Sequence, residues 1–75
     1  MVYPNPNYGK FYIDLSELDN SIDKVEIIDN LGKVIYTNSN PSQLNEVNLK
    51  RNSKGIYYVI IKIEDHTIYK KITLY

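Results

Sequence analysis

The sequence predicts a small antiparallel β-sandwich of six or seven strands, and three observations carry that expectation. Isoleucine, valine and tyrosine are abundant while alanine and tryptophan are absent, a bias toward side chains that pack well on a pleated surface. Apolar and polar residues alternate over short stretches, the period of a half-buried strand. Clusters of Asn, Ser, Gly and Pro separate those stretches, as turns separate strands in an all-β domain.

The elements follow in order. Between Lys10 and Leu15, Phe11, Ile13 and Leu15 share one face and Tyr12 and Asp14 the other, which reads as a strand. Lys24 to Asp29 places Val25 and Ile27 on one side, and Lys33 to Thr37 places Val34 and Tyr36 against Ile35. Asn30, Leu31 and Gly32 between them predict a hairpin turn, with Gly32 taking a positive φ angle at little steric cost. Asn38 to Ser42 is a loop, because its short polar side chains compete for ladder hydrogen bonds and Pro41 lacks a donor. Glu46 to Leu49 gives a short strand with Val47 and Leu49 inward, and Lys50 to Gly55 the next loop. The strongest strand follows, with Tyr57, Val59, Ile61 and Ile63 inward and Tyr58, Ile60 and Lys62 outward. Glu64, Asp65 and His66 turn the chain into a last strand, Thr67 to Leu74, with Ile68, Ile72 and Leu74 on one side. Leu15, Leu18 and Ile22 have helical spacing, so Glu17 to Ser21 reads as a loop with one 3₁₀ turn capped by Asp14 or Ser16. The expected core is Phe11, Ile13, Val25, Ile27, Val34, Tyr57, Val59, Ile61, Ile72 and Leu74.

Composition narrows the function classes. At 75 residues the chain forms one domain, near the size at which a single core supplies only a few kcal/mol. Nine basic residues balance nine acidic ones, so no net field attracts nucleic acid or an anionic membrane. Without cysteine, neither disulfides nor thiolate metal sites supplement the core. The longest apolar run, Ile56 to Ile61, is far shorter than the roughly 20 residues of a membrane-spanning helix, so membrane insertion is not expected. Val2, Tyr3 and Pro4 follow Met1 directly, without the basic and apolar regions of a signal peptide. That start suits a fragment excised from a larger protein, with Met1 as an added start codon.

Few residues point to chemistry. His66 is the only histidine and has no cysteine or histidine partner for a zinc cluster. Ser16, Ser21, Ser39, Ser42 and Ser53 sit in polar loop-like sequence, unlike an activated nucleophile. No two carboxylates stand out as a glycosidase pair. Asp23, Asp29 and Asn30 carry oxygen donors, but Leu31 interrupts them and no bidentate glutamate follows, so the segment reads as a turn and not a calcium loop. No catalytic residue, metal or cofactor is expected. Eight tyrosines, with Tyr12, Tyr58 and Tyr69 outward by parity, pack across strands or offer rings to a sugar or protein partner. Lys70 and Lys71 guard an edge strand or rim a recognition surface.

Four motifs recur in one order: Tyr3-Pro4-Asn5-Pro6 with Gly9, Asp29-Asn30-Leu31-Gly32-Lys33, Gly55-Ile56-Tyr57-Tyr58-Val59, and Lys70-Lys71-Ile72 near the end. The set resembles the type A C-terminal sorting domain of the type IX (Por) secretion system, over nearly the whole chain. The resemblance implies an immunoglobulin-like β-sandwich that directs an upstream cargo domain across the outer membrane. Its partners would be the translocon, shuttle proteins and a sortase-like peptidase that removes it, with cargo anchored at the cell surface or released. The domain would pass through the periplasm, and a dimer is compatible with its sequence. Pro4, Asn5, Pro6, Gly9, Asp29, Gly32 and Lys33 match the structural motifs; Gly55, Tyr57, Tyr58, Ile60, Lys70 and Lys71 fall where the resemblance places the signal that the translocon recognises. The closing Thr73-Leu74-Tyr75 departs from the lysine-rich or polar tip of many members. The alternative reading is an independent carbohydrate-binding or adhesion module using the tyrosine face. A small hydrolase is a weaker third.

Overall fold

Wherever apolar residues alternate, the backbone pairs. The computed structural model describes residues 1–18 and 21–75, with seven strands and no helix among them. These are β1 (Val2–Tyr3), β2 (Lys10–Asp14), β3 (Ile22–Asp29), β4 (Val34–Asn38), β5 (Leu44–Asn48), β6 (Gly55–Ile63) and β7 (His66–Leu74). They form a three-stranded sheet in the order β1-β2-β5 and a four-stranded sheet in the order β4-β3-β6-β7, antiparallel throughout. The two sheets face one another as a small immunoglobulin-like β-sandwich.

The core is the set of inward residues that period-two alternation selects. Phe11 and Ile13 from β2 and Val47 from β5 meet Val25 and Ile27 from β3, Val59 and Ile61 from β6, and Ile72 and Leu74 from β7. β6 lies in the sheet interior, and its Val59, Ile60 and Ile61 are buried in succession, so both of its faces are covered. Tyr57 is also buried, with its hydroxyl donating to the Ser53 carbonyl. This satisfies the polar end of an otherwise apolar side chain.

Val34 departs from expectation. A bulge between Ile27 and Ile28 in the β3–β4 pairing sets Ile27 opposite Tyr36 and Ile28 opposite Val34. Ile35 is the extra residue, and both Ile35 and Tyr36 pack against the core. Val34 is turned to the outside beside Ile28 and is 47% exposed. A bulge interrupts simple alternation because two residues on one strand oppose one on the other. The preceding turn has the expected positive φ at Gly32, +86°. Asp29 organises it: Oδ1 accepts the Leu31 and Lys33 amides, both at 2.9 Å.

Strand ends also shift. β5 starts earlier than expected because Asn45 takes an inward position, its Nδ2 donating to the Ile13 carbonyl at 3.2 Å and the Ser42 carbonyl at 2.7 Å. His66, expected in the turn, is the first residue of β7 and pairs with Ile63. The 3₁₀ turn expected over Glu17 to Ser21 falls partly on residues 19 and 20, outside the described residues. Before them, Leu18 N–H donates to the Leu15 carbonyl at 3.0 Å, and Asp14 Oδ1 accepts the Ser16 amide at 2.9 Å.

Ile61 touches the core from the central strand and is almost fully buried. Ile61→Ala should cost about 2–4 kcal/mol through lost burial and the cavity left behind, measured as a drop in unfolding free energy in urea. A variant with an unchanged midpoint would remove Ile61 from the core.

Candidate functional site

The first and last motifs of the chain meet at one sheet edge. Lys71, Thr73 and Tyr75 direct backbone groups away from β6, and the segment Pro4 to Asn7 lies against them. Asn5 Nδ2 donates to the Lys71 carbonyl at 2.9 Å while its Oδ1 accepts the Thr73 amide at 3.1 Å. Asn7 N–H donates to the Thr73 carbonyl at 3.0 Å, and the Tyr75 amide donates to the Asn7 carbonyl at 2.8 Å. Together these bonds add one parallel rung to β7, between Asn7 and Leu74. Asn5 imitates a strand with its side chain, since an amide offers the same donor and acceptor as a peptide group.

Asn7 is only 2% exposed, and every polar group it buries is partnered. Its Nδ2 donates to the Pro4 carbonyl at 3.2 Å and its Oδ1 accepts the Gly9 amide at 2.8 Å. Pro4 and Pro6, before it, both follow cis peptide bonds. Gly9 has φ +112°, and a β-carbon there would lie 2.9 Å from Lys50 Cα. Position 9 therefore excludes other side chains by backbone angle and by contact. The role of Asn7 was not read from the sequence; its signal was a short amide two residues before a glycine, the pattern of a side chain that closes a turn on its own backbone.

The residues singled out on β6 and β7 divide between two faces. Tyr58 lies on the outer face of the four-stranded sheet, between Ile28 of β3 and Lys71 of β7. Ile60 lies one rung along, between Glu26 and Tyr69. It points away from the sandwich interior, as parity requires, yet its neighbours leave it 8% exposed. Gly55, Tyr57 and Lys70 have the opposite parity. Gly55 pairs with Leu74 at φ +139°, Tyr57 is core, and Lys70 sits opposite Val59 at the open side of the sandwich. Tyr57 and Ile60 thus support the surface, while Tyr58, Lys70 and Lys71 reach it.

Glu26 sets the charge on the outer face. Its side chain is 13% exposed and pairs with Lys62 at 3.0 Å and Lys24 at 3.8 Å. The hydrogen bond from Lys62, with the nearby Lys24 charge, holds the Glu26 carboxyl below the usual carboxylate range against the opposing effect of partial burial. Elsewhere, His66 Nδ1, at the exposed start of β7, lies 2.8 Å from Asp65 Oδ1. Among the described residues, no three His, Cys, Asp or Glu side chains converge on a common point.

Two outcomes follow from this geometry. Asn7→Ala strands the Gly9 amide and the Pro4 carbonyl and should cost about 1–3 kcal/mol, read from chemical unfolding; an unchanged stability would show that the Asn7 side chain does not hold the arm. Because the folded-state pKa of Glu26 is lowered, its contribution is present above the ordinary carboxylate range and is lost as pH falls through the folded value. Melting temperature should therefore fall less steeply on acidification in Glu26→Gln than in the parent chain. Parallel curves would assign the acid sensitivity elsewhere.

A family description for the secretion system C-terminal sorting domain matches residues 1–75, the full length of the chain. A search of curated proteins finds no match. The strand-rich sandwich and the coverage of all four motifs agree with that assignment, and the chain belongs to the family of C-terminal sorting domains of the type IX secretion system.

Proposed function

We propose that this domain is the export tag at the tail of a larger cargo protein, read through the β6–β7 pair by the type IX translocon and its shuttle proteins. A sortase-like peptidase then cuts upstream of Val2, and the cargo is released or attached at the cell surface. The observation that carries the reading is the family match over the whole chain. The geometry supports it: Tyr58 and Lys71 lie side by side on an exposed face, with Ile60 packed beneath the adjoining rung. An aromatic ring and a charged rim around buried apolar support are the features of an interface centre.

The sugar-binding alternative needs a flat platform of aligned rings. Tyr8 and Tyr75 lie 5.9 Å apart at 68° to one another, and Tyr3 and Tyr12 lie 5.8 Å apart with a 34° tilt, so neither pair forms a flat platform. Edge-to-face rings favour packing on each other over stacking on a sugar.

A fluorescent protein fused ahead of residue 1 in a secretion-competent host tests the proposal. Lys70→Ala with Lys71→Ala changes two exposed side chains, so circular dichroism should show an intact fold. Surface delivery should fall about tenfold, the effect of losing ~1.4 kcal/mol of recognition. His66→Ala should be delivered as the parent is. Normal delivery of the folded double variant would exclude the lysine pair from recognition, and normal delivery after removal of Lys70 to Tyr75, which takes Ile72 and Leu74 from the core, would overturn the sorting reading.

A further inference from the structure

The edge of β7 is covered over only half its length. The β6–β7 register places the peptide groups of residues 66, 68, 70, 72 and 74 toward β6 and those of 67, 69, 71 and 73 away from it. Asn5 and Asn7 occupy the outward groups from the Lys71 carbonyl onward. Before that point, the amides of Thr67, Tyr69 and Lys71 and the carbonyls of Thr67 and Tyr69 have no partner among the described residues. The segment is exposed, with Tyr69 at 65%.

A cleft of about 490 Å³ opens beside this bare stretch, between the edge strands of the two sheets. Its apolar lining comes from Met1, Val2, Leu18, Ile61 and Ile68. Asp14 and Glu17 border it from the β2 end, and Lys70 and Lys71 from β7. Lys71, on the outer face of the same edge, gives the edge its selectivity. A purely apolar strand paired here would have to desolvate that ammonium, which is how edge lysines deter self-association. A strand bearing carboxylates would neutralise it.

We propose that the Thr67–Lys71 edge of β7 is a strand-addition site for an extended segment of a partner protein in which apolar and acidic residues alternate. The partner's backbone pairs with the free groups of Thr67, Tyr69 and Lys71. Its apolar side chains drop into the cleft against Ile61 and Ile68, and its carboxylates, on the opposite face by parity, meet Lys71. Recognition by strand addition takes affinity from main-chain hydrogen bonds and specificity from pockets for alternate side chains, and the edge and the cleft supply both. This deepens the export reading and rests on it for the partner's identity, but the edge itself can be probed independently.

The probe is an acetylated six-residue peptide alternating valine and glutamate, titrated into the isotopically labelled 75-residue chain. The amide signals of Thr67, Tyr69 and Lys71 should shift and exchange more slowly with solvent, and a peptide with lysine replacing glutamate should leave them unmoved. Tyr69→Pro removes an outward amide without touching the ladder to β6, a substitution that edge strands tolerate, and should abolish the response. Thr37→Pro does the same at the opposite edge, on β4, and should retain it. Shifts centred on β4 or on the outer face, equal binding of the lysine peptide, or no binding by either would overturn the site. Protection of the same amides that rises with protein concentration and needs no peptide would identify a second copy as the occupant and overturn the acidic partner. In the fusion assay, a folded Tyr69→Pro chain should be delivered at least tenfold less than Thr37→Pro; equal delivery would exclude strand addition from export. Failure of the parent fusion to reach the surface, with the peptide response intact, would instead overturn the export reading and leave the edge site standing.

Discussion

The hydrogen bonds from Asn5 and Asn7 to the last strand tie together parts of the chain that lie 66 and 68 residues apart. No cysteine is available for a covalent closure, and β1, only two residues long, is a weak edge. The arm between Tyr3 and Gly9 crosses from the three-stranded sheet to the four-stranded one, and its two amides hold both in place. Closing so long a loop costs little more entropy than closing a medium one, because the cost grows only logarithmically with length. A few well-satisfied amide bonds can therefore hold the ends together, provided none is left unpartnered in the interior. Asn7 meets that condition through four separate bonds.

The same clamp decides how much of β7 is available to a partner. Where the arm pairs, the strand is finished; where it stops, at Lys71, a row of peptide groups faces solvent above an apolar cleft. Lys70 and Lys71 stand at that transition, one directed toward the cleft and the other toward the outer face. Their separation into two faces follows from strand parity, so a pair adjacent in sequence serves two surfaces. Edge protection and partner selection are compatible roles for Lys71, since the charge that repels an apolar strand attracts an acidic one.

Electrostatics elsewhere are local. The Lys24, Glu26 and Lys62 cluster lies on the outer face of the larger sheet, where Glu26 is screened from water by its neighbours. Charge there limits how sticky the row of Val34, Ile28, Tyr58 and Ile60 can be. The overall balance of charge leaves recognition to particular groups and not to a long-range field.

Strand number, the period-two core and the Gly32 turn were legible in the sequence because each depends on local geometry. Phe11, Ile13, Val25 and Ile27 alternate with more polar residues, and one face of a pleated strand must be buried. The turn at Gly32 needed only a residue that tolerates positive φ. Val34 escaped that logic, for a bulge depends on how two strands settle against the core and reverses parity without a mark in the strand's own composition. Ile60 escaped it too, because it is outward by parity yet 8% exposed, set between Glu26 and Tyr69 only once three strands are in register. The family motifs could be recognised as separate signals, but nothing local shows that Asn5 and Asn7 bond to Lys71, Thr73 and Tyr75. Contacts across nearly the whole chain are decided by packing, so the clamp, the bare half of β7 and the cleft beside it belong to the tertiary structure alone.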